Sequence, residues 1–406
     1  MPRTPTPLAA LLVAAALAGG CATTRSRGLT MDETLVEVDR EDLELAGMND
    51  EELFACGAAA YQAGRHARAV KCFTRLADLF PESPKAWSAA YNAGVAYEAL
   101  GDWTRAAERY EATMDPDAGQ GDRLDAAWRA AGARYHLEDY PAAIALLERI
   151  VARPDLATAD RLRALAHLGV CRLENGEAGP AEARFREALK LYREKQEDER
   201  LEDYYPAQAQ FFLAEIYRIH FESVKLVAVG DLEKLGSDLE YKAQLLLSAQ
   251  GHYLRTIRMG NGHWAIAAGQ RVGGLYEGLY QEMTTAPVPE GFDEQQAALY
   301  RGMLRRKVRV LVQKAISVYE RTLSTAERIG VEGMFRERTR ESLDRMKQVL
   351  LVDAAADDAE GITEEDVPPP PPAPPGSDEP PDEGSDDPEA GTQGARRAAR
   401  SAGAVR

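Results

Sequence analysis

Residues 91–110, YNAGVAYEALGDWTRAAERY, set two alanine-rich apolar runs on either side of a Gly-Asp break, with tyrosines at regular places on both. Gly101 suits the left-handed residue that ends a helix, and Asp102 suits the N-cap of the next. The pattern predicts a helical hairpin. It recurs when the chain is aligned on the small residue of the first run, which gives Gly57, Gly94, Gly132, Gly169 and a weaker Ala214, at intervals of 37, 38, 37 and 45 residues. Periods of this length mark arrays of helical hairpins.

Each copy repeats the residue types of its neighbours. Gly57 is followed by Tyr61, Gly64, Ala69, Phe73 and Pro81, and Gly94 by Tyr97, Gly101-Asp102-Trp103, Ala106 and Tyr110. Around Gly132 stand Trp128, Tyr135, Asp139-Tyr140, Ala143 and Leu147; Leu168-Gly169 is followed by Gly176, Ala181, Phe185 and Ala188. Two helices joined by a tight turn approach closely only where one presents no bulky side chain. The pairs Gly57 and Ala69, Gly94 and Ala106, Gly132 and Ala143, and Gly169 and Ala181 are therefore expected to be the packing contacts. Tyr97 and Tyr110 are expected to fill the space between hairpins. A hairpin buries its second face only against a neighbour, so about three copies are needed for stability.

Beyond Tyr217 the helical spacing continues without the repeat. Apolar periodicity covers residues 239–259 and 263–283, and the prolines within residues 284–292 interrupt it. Two long helices follow, over residues 293–329 and 331–352. Residues 49–237 are thus expected to form a hairpin array, and residues 238–352 degenerate repeats or capping helices.

The four copies match, in order and nearly in offset, Trp-x2-Leu-Gly-x2-Tyr, then Ala-x3-Phe, then Pro, and over about residues 50–220 the chain resembles the tetratricopeptide repeat (TPR) family. The resemblance implies an all-α superhelix whose first helices line a groove for protein partners. Transferred copy by copy, its groove offsets implicate Phe54 and Tyr61, Tyr91 and Glu98, Arg129 and His136, Arg163, and Phe211 with Arg218. Aromatic anchors with arginines suit peptide segments. The TPRs that clamp a C-terminal carboxylate use Lys and Asn at these offsets, where this chain has Phe54, Ala58, Tyr91 and Val95.

Composition agrees with a large helical protein: 406 residues, 45% hydrophobic, 28% charged and 7% aromatic. Much of the net charge of −17 lies in residues 353–406, which hold 14 acidic and four basic residues and 10 of the 22 prolines. Such a segment is expected to be a disordered, partly polyproline II spacer. The acidic body carries no basic stripe, which argues against nucleic acid as a partner.

The start of the chain reads as a processing signal. Arg3 precedes an apolar stretch over residues 8–18, too short to span a bilayer, then small residues and Cys21. Leu17-Ala18-Gly19-Gly20-Cys21 resembles a bacterial lipoprotein lipobox, with the leucine one place early. The resemblance implies a signal peptide over residues 1–20, lipidation at Cys21, and a tether over residues 21–48. With Ala22 next, it implies an outer-membrane anchor facing the periplasm. Several acyl chains hold durably where one does not.

Cys56 and Cys72 fall on the two helices of the first hairpin; they are either buried packing residues or, in an oxidising compartment, a disulfide. His167 and Cys171 share a helix face, but no second pair completes a zinc site. Gly260-Asn261-Gly262-His263-Trp264 reads as a helix-to-helix turn or a binding loop. No phosphate loop, His-Glu-x-x-His or Gly-x-Ser-x-Gly motif is present. The expectation is a non-enzymatic scaffold with no cofactor, metal or small-molecule substrate, lipid-anchored and gathering other envelope proteins. It is similar to TPR lipoproteins of gliding-motility complexes, and alternatively to those of outer-membrane barrel assembly. A wall enzyme with accessory repeats is a further alternative.

Overall fold

Local signals of the sequence set most helix ends. Asn49 and Glu52 form a capping box at one start, Asp102 accepts from the Arg105 amide, Asp139 from Ala142, and Asp293 with Gln296 forms a second box. In a computed structural model, which describes residues 40–114, 120–226, 232–286, 288 and 291–360, these signals delimit fourteen helices among the described residues, with no strand. They are α1 (Arg40–Ala46), α2 (Asp50–Gln62), α3 (His66–Leu79), α4 (Ala86–Ala99), α5 (Trp103–Ala112), α6 (Gln120–His136) and α7 (Tyr140–Val151). Then come α8 (Thr158–Glu174), α9 (Ala178–Lys195), α10 (Tyr204–Ser223), α11 (Leu232–Arg258), α12 (Gly262–Thr285), α13 (Glu294–Ile329) and α14 (Met334–Glu360).

The helices pair as α2/α3, α4/α5, α6/α7, α8/α9, α10/α11 and α12/α13, and each second helix packs on the next first helix, ending with α13 on α14. The fold is a solenoid of six hairpins closed by a final helix. Four buried apolar clusters follow one another along it.

The first four turns share one geometry. A left-handed residue, Gly64, Gly101, Glu138 or Gly176, stands five places before Ala69, Ala106, Ala143 or Ala181, all fully buried. Seven places before each turn stands the small residue of the first helix: Gly57, Gly94, Ala131 and Gly169. The third copy is therefore anchored by Ala131, not Gly132. Gly132 is exposed, and a Cβ built on it meets nothing within 4 Å. Aligning on glycine shifted that copy by one residue.

The small residues accept aromatic rings rather than alanines. A Cβ on Gly57 would lie 2.5 Å from Phe73, one on Gly94 2.7 Å from Tyr110, and one on Gly169 2.3 Å from Phe185. Tyr110 thus fills its own hairpin instead of the gap to the next.

The same design extends past residue 217 with longer helices. Gly273 receives Tyr319, whose ring would stand 2.1 Å from a Cβ there, and Ala315 precedes Tyr319 by four residues as Ala106 precedes Tyr110. In the fifth hairpin Ala249 and Tyr253 take these places, and Phe211 holds the site opposite, with ring centroids 5.5 Å apart. Ala214 is not the fifth anchor.

Several boundaries move. Residues 40–46, expected to belong to the tether, form helix α1, in which Leu45 is buried and Glu44 pairs with Arg68 at 3.0 Å. The division at residues 237 and 238 falls inside α11. The tail expected from residue 353 starts no earlier than 361: α14 runs to Glu360, and buried Asp353 accepts a 2.5 Å hydrogen bond from Tyr280. Cys56 and Cys72 form a disulfide between α2 and α3, and Cys171 is the free cysteine among the described residues. Residues 260–264 are the helix turn: Gly260 has φ +88°, Asn261 accepts from the Trp264 amide, and Trp264 is buried. The signal, Cys21 and the proline-rich segment lie outside the described residues.

Candidate functional site

The first helices carry most of the residues the groove offsets implicated. Phe54 is half-buried, edge-on to Phe73, with the Lys85 ammonium 5.2 Å from its centroid. Tyr61 is exposed beside His66. Tyr91 stacks on Trp87, donates its hydroxyl to Asp125, and accepts from Arg129 Nε at 2.6 Å. Arg129 also donates to Glu98 at 3.1 Å, and Glu98 accepts from Tyr110 at 2.6 Å. Burial, then the Asp125 carboxylate, pushes the Tyr91 phenol up to about 12. These charges satisfy one another within the protein.

Two residues leave the set. Phe211 is 3% exposed and packs among Tyr253 and Trp264, because its helix is anchored there and not at Ala214. Arg218 is paired with Glu215 at 2.9 Å and with Glu222, so it serves an internal ion network. His136 is exposed and stacked on Trp103, with centroids 4.0 Å apart.

His136 and Arg163 join a cavity of about 300 Å³ between α6, α8 and α10, floored by Leu147 of α7. Counted from Ala131, the groove offsets of the third copy are Trp128, Gly132 and Tyr135, and all three line it, as do His167, Val170, Gln208 and Phe212. Counting back from the turn at Glu138 would have found them; counting from the nearest glycine concealed them. Two features open the space. Leu147 occupies the place held by Phe73, Tyr110 and Phe185 in the neighbouring copies, and Gly132 supplies no side chain at the wall.

The wall is aromatic with one permanent cation. The Arg163 guanidinium lies 4.2 Å from the Trp128 centroid, a cation–π contact. Its Nε is buried without a hydrogen-bond partner, and no carboxylate of the described residues pairs with it. By contrast Arg129, Arg134, Arg172 and Arg218 each hold at least one acidic residue. His167 stands edge-on to Trp128 and to Tyr205. Burial, then the Arg163 charge, lowers its pKa to about 4. Burial pushes the Cys171 thiol and the Tyr135 phenol up to about 12 each. Near neutral pH the wall thus offers ring faces, aliphatic groups, the Gln208 amide with its buried Oε1 unpartnered, and the Arg163 charge, while the Cys171 thiol stays protonated. Among the described residues no three His, Cys, Asp or Glu side chains gather as a metal site, and His167 with Cys171 is not part of one. No described helix is long and apolar enough to cross a membrane.

Comparison with known proteins bears on the first hairpins. The tetratricopeptide repeat family profile matches residues 57–122. Those residues carry the tetratricopeptide pattern. Among solved structures, a TPR protein from Parabacteroides merdae is 13% identical, with 73% of this chain and 98% of that one covered and a TM-score of 0.35. The apo form of RapI is 10% identical over 76% and 99%, TM-score 0.40. The Rap conjugation gene regulator of plasmid pLS20, in complex with the Phr* peptide, is 13% identical over 83% of each chain, TM-score 0.28. No curated protein matches the chain.

Proposed function

We propose that this TPR chain is a non-enzymatic scaffold that holds protein partners on the face formed by its first helices. The observation that carries the reading is the break in close packing between α6, α8 and α10, where an aromatic wall and a cation with no carboxylate partner among the described residues stand open. Elsewhere on that face Tyr91, Glu98, Asp125 and Arg129 satisfy one another, as do Glu215, Arg218 and Glu222.

The same reading places the protein at the outer membrane, facing the periplasm, held by acyl chains on Cys21. The lipobox-like Leu17-Ala18-Gly19-Gly20-Cys21 supports this, and so does the Cys56–Cys72 disulfide, since such bonds persist mainly in exported proteins. Within the envelope we favour a trans-envelope complex of the gliding-motility kind over barrel assembly, on the alanine- and arginine-rich composition and the longer helices of the second half. The experiment is crosslinking in intact cells followed by mass spectrometry of the outer-membrane fraction, with Cys21→Ser as a companion. Partners crosslinked to α6, α8 or α10 and release of Cys21→Ser into the soluble periplasm are expected. Crosslinks confined to the outer surfaces of the second helices would overturn the binding face, and unchanged membrane retention would overturn the lipid anchor.

A further inference from the structure

We propose that the cavity between α6, α8 and α10 is an anchor pocket for one aromatic side chain from a chain-internal segment of a partner polypeptide, with Arg163 taking the carboxylate of an acidic residue beside that side chain. This rests on the scaffold reading and names the chemistry of its ligand.

Size and lining select an aromatic group. About 300 Å³ far exceeds a packing defect, and the walls are Trp128, Tyr135, Leu147, Val170 and Phe212. Aromatic side chains bury about 150–250 Å² each and gain further from edge and face contacts with other rings. A Cβ at Gly132 would meet nothing within 4 Å, so the wall leaves space there.

Charge selects the neighbour of that group. Arg163 is held against Trp128 at 4.2 Å, has no carboxylate partner among the described residues, and has its Nε buried. A guanidinium is permanently charged and binds carboxylates through paired hydrogen bonds. Arg163 is the one permanent cation of the lining, and buried His167 beside it is unprotonated near neutrality.

Geometry selects a segment that runs through. Aromatic surface continues on both sides of the cavity: the Trp103–His136 stack lies on one, and Tyr205, edge-on to His167 and next to Tyr204, on the other. A chain terminus would need several fixed donors at one point, and the cavity has a single cation.

The test is selection of a random dodecapeptide library, displayed with blocked C-termini, on the detergent-solubilised full chain. The winning peptides are then measured by fluorescence anisotropy as C-terminal amides and as free acids. Enrichment of an aromatic residue with Asp or Glu within two positions is expected, with amide and acid binding alike. Gly132→Leu, which adds a side chain at the wall without a clash at Cβ, should weaken binding at least about tenfold while leaving the melting temperature equal or higher. Arg163→Gln should weaken the acidic peptide about tenfold and leave its Glu→Gln version unchanged. Peptides lacking the aromatic residue or the acid, a strict need for a free C-terminus, no enrichment at all, or full binding by Gly132→Leu would each overturn the pocket. Partners crosslinked to the first-helix face in cells despite such a result would leave the scaffold reading standing without this pocket.

Discussion

The hydroxyl of Tyr319 donates to Glu277 at 2.9 Å, and Glu277 stands four residues after Gly273, the glycine that receives the Tyr319 ring. The same relation joins Tyr110 to Glu98 beyond Gly94, and Tyr253 to Glu215 beyond Phe211. In each case an arginine of the following first helix meets the carboxylate: Arg129 at 3.1 Å, Arg271 at 3.1 Å and Arg345 at 3.3 Å. Where the ring is Phe73 or Phe185, or where Leu147 replaces it, the fourth place holds Tyr61, Leu173 or Tyr135. A buried phenol requires an acceptor and a phenyl ring does not, so the two positions vary together.

Tyr319→Phe should therefore cost about 1 kcal/mol, the net value of one buried hydrogen bond. Glu277→Ala should cost more, about 2 kcal/mol, because it leaves the buried hydroxyl without an acceptor. Urea unfolding followed by circular dichroism gives both values; equal effects of the two substitutions would show that the hydroxyl finds another acceptor.

Four glycines that look alike in sequence should respond differently to alanine. Gly57→Ala, Gly94→Ala and Gly169→Ala drive a Cβ into a ring within 2.7 Å and should destabilise, by about 1–3 kcal/mol as for other overpacked sites. Gly132→Ala meets nothing and should be neutral or stabilising, by up to about 1 kcal/mol. Thermal melts of the four variants decide it, and a destabilised Gly132→Ala would place that residue back in the hairpin contact.

The Cys56–Cys72 bond joins positions 16 apart in sequence within the first hairpin. Removing it in the double variant Cys56→Ala with Cys72→Ala should cost about 3 kcal/mol in the chain-entropy account. Melting the native chain with and without reductant reports the same loss, and superimposable curves would mean that the thiols are unpaired.

Stability should fall as pH drops from about 6.5 toward 4. Burial holds His167 at about 4 and His252 at about 3, against 6.5 when exposed, so across this window the unfolded chain binds protons that the folded chain refuses. The linkage is on the order of 3 kcal/mol per fully desolvated imidazole. Melting temperatures at pH 7 and pH 4.5 measure the loss, and His167→Gln should reduce it; a pH-independent melt over this range would mean that both rings remain hydrated.

The sequence by itself determined the hairpin architecture of the first half, because helix signals are local: a left-handed glycine, an aspartate cap and an alanine five places on can be read within about a dozen residues. It also marked Gly57, Gly94 and Gly169 as close contacts. It offered a weak fifth copy and degenerate repeats or capping helices beyond it, but not the register of the last two hairpins, since their second helices are long and the spacing from Gly273 to Tyr319 is 46 residues against 16 from Gly94 to Tyr110. Register in the third copy was likewise concealed, because the anchor there is an alanine with a glycine beside it. Only tertiary structure decided that Phe211 and Arg218 face inward while Trp128, Tyr135 and His167 face a cavity. Whether a side chain meets a neighbour or open space depends on a helix supplied from up to about a hundred residues away, and no local pattern carries that information.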